Sequence, residues 1–266
     1  MTLGLWDLVY IVTGAAEALV CLALMLRTVP LLRDERRCVP AALFLFAVVS
    51  LLLSDAYWIV YTLLRPDTRM PIAANEIAEN AFFLLLAAAL DAVFRENRVP
   101  AKRETLCAAL FALASTALWI RWTGEWVQDI IGGAAFGYLL CLCARALKQT
   151  ESLKPYEWRL LGAFGGGSLL LLGAGLLVPE PFVLPLEILS YVLMFAVLLA
   201  LLVKILRAAG QGADAKTRMA LSFSLYAWAV AAMYLSEDWV YIAAWLISFL
   251  TLPLMFAAVK KEVAVG

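Results

Sequence analysis

A polar hexapeptide interrupts an otherwise apolar stretch of the chain. "NEIAEN" (75–80) lies between "RPDTRMP" and "AFFLLLAAALDAVF". At 100° per residue, Asn75, Glu76, Glu79 and Asn80 fall within about 140° of one helix face. A carboxylate in hydrocarbon costs on the order of 2.5–3.5 kcal/mol, and two carboxylates a turn apart also repel each other. This stripe therefore needs a compensating proton, cation or water.

The apolar run before this segment carries a second stripe, in which acid and aromatic side chains share a face. Asp55 supplies charge, and the rings of Trp58 and Tyr61 can each add a cation–π attraction of roughly 0.5–2 kcal/mol. Two later runs begin with similar residues. We predict an acidic, aromatic-lined outer vestibule for a small cation, either a metal ion or an organic amine. Its predicted ligand-binding residues are Asp55, Trp58, Tyr61, Asn75, Glu76, Glu79, Asn80, Glu187, Asp238 and Tyr241.

Carboxylate oxygens are the ligands that hard divalent cations prefer, so a divalent cation is a candidate cofactor. Its predicted ligands are Asp55, Glu76 and Glu79. An alternative explanation of the acids is that they interact favourably with the dipoles at helix N-termini. That explanation fits Glu187 and Asp238 well. It accounts less well for Asp55 and Glu79, which lie deeper in their helices.

Glu17 is the deepest acid in the predicted membrane region. It precedes Arg27 by ten residues, or roughly 15 Å along a helix. Desolvation favours its protonated form. Two roles stay open for it: a structural carboxyl group hydrogen-bonded to a neighbouring helix, or a proton relay on an ion pathway.

The chain contains no histidine, which excludes Ser-His and Cys-His nucleophile pairs and His-ligated zinc hydrolases. Carboxylate chemistry remains, because paired acids can act as general acid and base. One alternative function is therefore a membrane-embedded enzyme that uses Asp55 with Glu76 or Glu79 on a lipid-like substrate. Another is a sensor or accessory subunit of a membrane complex. We favour binding or transport over catalysis and name no catalytic residue.

The elements that must position these side chains are membrane-spanning helices. The sequence is 65% hydrophobic, and its mean hydropathy is +0.90. A span needs roughly 20 apolar residues, and the predicted spans are 5–27, 41–64, 72–94, 105–123, 127–147, 160–178, 185–207, 219–236 and 238–259. We predict an all-α polytopic membrane bundle of one helix plus four hairpins, forming a single domain. Segment 208–218 is a candidate linker between halves 1–207 and 219–259, and glycine-rich 162–175 predicts close helix packing.

Charge placement predicts the orientation of the bundle. Eighteen of the 21 Lys and Arg residues lie on one side of the predicted spans and three on the other. Because cytoplasmic loops are enriched in Lys and Arg, we expect an external N-terminus and a cytoplasmic C-terminus in the plasma membrane, or in the inner membrane of a cell that has two. The expected partners are membrane lipids and a small cationic ligand. A homo-oligomer or a membrane partner subunit stays open, and nothing indicates nucleic acid.

Overall fold

The computed structural model describes residues 4–33, 38–64, 74–95 and 100–265. Within these ranges the chain is all-helical, as the sequence predicts, with nine α-helices and a short 3-10 helix at Val29–Arg33. The helices are α1 Leu5–Thr28, α2 Val39–Leu64, α3 Ala74–Phe94, α4 Lys102–Thr123, α5 Trp126–Gln149, α6 Pro155–Gly175, α7 Glu180–Gly210, α8 Ala215–Tyr234 and α9 Asp238–Val265. The segment "RPDTRMP" holds Arg65 and Arg69, two of the three basic residues on the side that is predicted to be external. This segment lies outside the described residues.

Seven of the helices in the described ranges are long and apolar enough to cross a membrane, which makes this a multi-pass membrane protein. The two that fall short by composition are α6 and α8. Glycines and a charged first turn dilute the apolar character of α6. In α8, every residue from Met219 to Met233 is buried. A helix surrounded by other helices does not need a wholly apolar surface, which explains how α8 accommodates several serines and tyrosines.

The helices pack as the predicted hairpins, with α2 against α3, α4 against α5, α6 against α7 and α8 against α9, while α1 packs against α2 and α9. Consecutive helices run in opposite directions. We call the end of the bundle that holds the N-termini of α1, α3, α5, α7 and α9 the acidic end, and the opposite end the basic end. Which side of the membrane each end faces stays a prediction from charge.

Polar contacts join the helices at the basic end. Lys204 lies 2.7 Å from a Glu157 carboxylate oxygen and donates to the Ser152 carbonyl at 3.3 Å. Lys261 and Arg218 both donate to the Ala213 carbonyl, at 2.6 and 3.2 Å. The candidate linker is mostly helical, because only residues 211–214 separate α7 from α8. The division into halves stays a prediction.

One glycine of α6 contacts a side chain of α8. A Cβ atom added to Gly165 would lie 2.4 Å from a ring carbon of Trp228, whereas one added to Gly166 would meet nothing within 4 Å. The main packing partner of α6 is α7. Trp228 therefore reaches the α6 backbone through its long side chain, and the contact does not test the predicted close packing of helix backbones.

Candidate functional site

A cavity of about 480 Å³ lies at the acidic end of the bundle, between α1, α2, α3, α4, α5, α8 and α9. Six carboxyl side chains line it: Glu17, Asp55, Glu76, Glu79, Glu125 and Asp129. None of the described lining residues is a lysine or arginine. The cavity reaches the surface of the bundle at Trp122 and Thr123, which are exposed. Its described wall is therefore strongly acidic and accessible from one end.

Asp55 brings a buried carboxylate from α2 to this wall. The residue is only 7% exposed, and its Oδ2 atom has no hydrogen-bond partner among the residues that the structure describes. The preceding residue, Ser54, donates to the Asn75 carbonyl at 2.9 Å, which holds this part of α2 against the first turn of α3. An unsatisfied buried acceptor is costly, typically by about 1–3 kcal/mol and more for a charged group. Asp55 thus lines the cavity with a carboxylate group of which one buried oxygen is unsatisfied.

Glu79 lines the cavity from α3, and it has a partner on the central helix. The Tyr234 hydroxyl of α8 donates to Glu79 Oε1. Sequence analysis missed Tyr234, and also Tyr226, which lines the cavity too. The eight-residue spacing of these tyrosines puts both on one face of a helix. This spacing is the feature of the sequence that could have indicated a shared polar face, although it does not reveal which helix packs against that face.

Glu17 lies at the deep side of the cavity, on α1. It is 3% exposed, and the indole N–H of Trp245 on α9 donates to its Oε2. Farther toward the basic end, α1 continues with Cys21 and Leu24, both buried among apolar side chains. Glu17 is therefore the last charged residue of α1 before the apolar core.

The α4 and α5 helices supply a wall that the sequence analysis did not predict. Trp119 Nε1 and Gln128 Oε1 are buried and have no hydrogen-bond partner within the described part of the chain, and both residues line the cavity. The Thr123 hydroxyl donates to Asp129 at the rim. A tryptophan near a helix end resembles an ordinary membrane-interface residue, so the sequence did not distinguish Trp119 as a site residue. Gln128, a lone amide at the start of an apolar run, was the better clue.

The structure brings most of the predicted site residues together. Those that line the cavity are Glu17, Asp55, Trp58, Asn75, Glu76, Glu79, Asn80 and Tyr241. Three others are not among the lining residues. Tyr61 stacks on Tyr57 with ring centroids 6.1 Å apart, Glu187 is half-buried on α7, and Asp238 is exposed at the start of α9.

The carboxylates border one cavity without forming a compact metal centre. Within the ranges that the structure describes, no group of three or more His, Cys, Asp or Glu side chains is arranged to hold a metal ion. The predicted trio of Asp55, Glu76 and Glu79 is included in that finding.

No family model matches this chain, and no curated protein or solved structure does so either. Arguments about function therefore rest on the chemistry of the cavity.

Proposed function

We propose that this membrane protein binds a small organic cation in the cavity at its acidic end, as a transporter or receptor for that cation. The observation that carries the proposal is the carboxylate of Asp55, a residue that lines the cavity and whose buried Oδ2 atom has no hydrogen-bond partner among the described residues. An ammonium group can supply both the missing donor and the opposite charge. Charge-assisted hydrogen bonds of this kind are stronger than neutral ones.

The rest of the described wall supports the same ligand class. Like charges in one cavity repel, and a bound cation relieves that repulsion. Indole and phenol rings attract cations through their faces, and the effect grows when water is excluded. Trp58, Tyr241 and Trp245 offer such rings beside the acids. Both features favour a positively charged guest over a neutral or anionic one.

The predicted orientation gives the site a direction. With the basic end in the cytoplasm, the cavity faces outward, so the cation enters from the external side. Beyond Glu17 the core of α1 is apolar. A receptor can act from this conformation directly. A transporter must pass through a second conformation in which the apolar layer around Cys21 and Leu24 opens.

The proposal is tested by thermal stability of the purified protein in detergent, with divalent metals, polyamines and alkylamines as probes. A ligand at a hundredfold excess over its dissociation constant stabilises a folded protein by about 2.7 kcal/mol. We expect an alkylamine to raise the unfolding midpoint of the wild type, and to raise that of Asp55→Asn and Glu79→Gln much less. Glu187→Gln is the matched control, because Glu187 is not among the residues that line the cavity.

Two results would overturn the proposal: no organic cation stabilises the wild type, or the stabilising one acts equally on all three variants. Stabilisation by a divalent metal alone would assign the site to a metal ion instead.

A carboxylate-dependent membrane enzyme is the second candidate, and one observation favours it. Asp55 and Glu79 line the same cavity in unlike surroundings, one with a carboxylate oxygen that lacks a partner and the other hydrogen-bonded to Tyr234. Unequal carboxylates are suited to separate acid and base roles. Incubation with phospholipids and lysolipids tests this candidate. Product formation that disappears in both Asp55→Asn and Glu79→Gln would support it, and the absence of any product would exclude it for those substrates.

A further inference from the structure

Four aromatic rings form a closed circuit beside Asp55. The ring centroids of Tyr10 and Trp58 are 6.3 Å apart, those of Trp58 and Trp245 are 6.2 Å apart, those of Trp245 and Tyr241 are 5.8 Å apart, and those of Tyr241 and Tyr10 are 5.9 Å apart. Each ring is steeply inclined to both neighbours, with interplanar angles between 67° and 88°. The rings come from α1, α2 and α9, and all four line the cavity.

This circuit has the dimensions of a cation-binding aromatic cluster. Because neighbouring centroids are about 6 Å apart, the mean position of the four centroids lies within roughly 6 Å of every one of them, which is the reach of a cation–π interaction. The steep angles between neighbouring rings also leave the four rings unstacked, so that they do not cover one another's faces completely. A cation in the cavity at this level can therefore contact several rings at once.

The circuit and the unpaired carboxylate oxygen are linked through α2. Asp55 and Trp58 are three residues apart, so they lie on the same helix face. Farther into the cavity, Trp245 donates its N–H to Glu17, which fixes the orientation of that indole. The site thus combines ring faces, which need no hydrogen bond from the ligand, with one buried carboxylate acceptor that lacks a donor.

We propose that the ligand of this site is a tertiary ammonium, whose single N–H donates to the Asp55 carboxylate while its N-alkyl groups pack against the four rings. This inference rests on the proposed cation-binding function and specifies its substrate class. A primary ammonium has three N–H donors, and ring faces satisfy them poorly. A quaternary ammonium has no donor for the Asp55 carboxylate. A tertiary ammonium matches both the rings and the carboxylate.

The test compares three probes that share one alkyl chain: hexylamine, N,N-dimethylhexylamine and N,N,N-trimethylhexylammonium. Calorimetric titration of the full-length protein in detergent gives each dissociation constant. We expect the dimethyl probe to bind at least tenfold more tightly than hexylamine and at least threefold more tightly than the trimethyl probe. In Asp55→Asn, the advantage of the dimethyl over the trimethyl probe should disappear, because a neutral amide oxygen is a weaker acceptor for N–H⁺.

Variants of the rings separate cation–π binding from general packing. Trp58→Leu should abolish the preference for the dimethyl probe over hexylamine, whereas Trp58→Phe should retain its direction, because phenylalanine keeps an aromatic face. Trp239→Leu is the matched control: this tryptophan is also at the acidic end, but it is 59% exposed and is not a lining residue. It should leave all three constants unchanged.

The wild-type titrations decide the inference without any variant. If hexylamine binds as tightly as the dimethyl probe, the tertiary-ammonium inference fails while the cation-binding function stands. If the trimethyl probe binds most tightly, the hydrogen bond to Asp55 is not part of recognition, and the inference also fails. If polyamines and all three amines fail to bind, the proposed function falls together with the inference.

Discussion

Trp245 of α9 donates its indole N–H to the carboxylate of Glu17 on α1, joining the last helix to the first across 228 positions of the chain. Both side chains are buried. The contact closes the bundle at the level where the cavity ends and the apolar core begins. It gives the deepest acid of the cavity a hydrogen-bond partner on another helix, which is the contact that a structural role of Glu17 requires.

Removing this donor should destabilise the protein. In Trp245→Phe the Glu17 carboxyl group loses its partner, and an unsatisfied buried group costs about 1–3 kcal/mol. We expect a corresponding fall in the free energy of unfolding, measured by denaturant titration in detergent. Trp239→Phe is the control because Trp239 is exposed. Equal losses in the two variants would show that the hydrogen bond contributes no stability.

Substitution of Glu17 itself distinguishes a structural role of this carboxyl group from a role in proton transfer. In Glu17→Gln the amide oxygen can still accept from Trp245, so we expect a free energy of unfolding within about 1 kcal/mol of the wild type. If Glu17 is a proton relay, cation uptake into proteoliposomes driven by a pH gradient should be lost in this variant. Uptake at the wild-type rate would exclude the relay role.

Tyr234 should contribute to ligand binding because its hydroxyl holds the Glu79 carboxylate in place. Tyr234→Phe removes the hydroxyl that donates to Glu79, so we expect a stability loss of about 1–3 kcal/mol and weaker binding of the amine probe, because the carboxylate is no longer held in place. Tyr138→Phe is the control, since Tyr138 is 48% exposed on α5 and does not line the cavity. Unchanged affinity in Tyr234→Phe would show that Glu79 needs no positioning.

Binding of the amine should weaken as the pH falls. Protonation removes the negative charge that pairs with the ammonium, so each proton taken up by the site reduces affinity by up to about tenfold per pH unit. The titratable side chains that line the cavity with Asp55 are Glu17, Glu76, Glu79, Glu125, Asp129, Tyr10, Tyr226, Tyr234 and Tyr241. Titrations from pH 8 to pH 5 measure the effect, which should be smaller in Asp55→Asn. Affinity that is constant over this range would contradict carboxylate pairing.

Substitution by alanine should affect stability differently at Gly165 and Gly166, because only Gly165 contacts the Trp228 ring of α8. Gly165→Ala places a methyl group against the Trp228 ring, and overpacking of this kind costs about 1–3 kcal/mol. Gly166→Ala meets no atom within 4 Å and should be neutral or stabilising by about 0.5–1 kcal/mol, because alanine favours helix. Denaturant unfolding of the two variants compares them directly. Similar effects of the two substitutions on stability would contradict the contact between Gly165 and the Trp228 ring.

The predicted membrane orientation rests on the 18 to 3 distribution of basic residues between the two sides of the predicted spans. A reporter that is active only in the cytoplasm should be active when it is fused after Lys261. A reporter that is active only outside the cytoplasm should be active when it is inserted in the "RPDTRMP" segment. A C-terminal reporter exposed on the external surface would reverse the side from which the cavity is reached.

The all-helical fold, the nine helices of the described residues and the hairpin pairing were predictable from the sequence because their causes are local. A long run of apolar residues favours a helix, and short connections favour consecutive helices that pack in opposite directions. The stripe at 75–80 was recognisable for the same reason, since the spacing of side chains along one helix fixes which of them share a face. Asp55, Glu76 and Glu79 were therefore identified as unusual before their surroundings were known.

Only the tertiary structure decided which faces meet. Hydropathy does not fix the rotation of a helix about its axis, and packing against its neighbours does. Packing placed Tyr234 against Glu79 and Trp245 against Glu17, and it added Trp119 and Gln128 from a hairpin that the sequence analysis had left out of the site. Three predicted residues do not line the cavity: Tyr61, Glu187 and Asp238. No described residue of α7, the helix of Glu187, lines it, and Asp238 is exposed at the first residue of α9, one turn before the lining residue Tyr241. Composition does not reveal which helices surround a cavity or how far along each helix the cavity extends, because both depend on packing between distant segments.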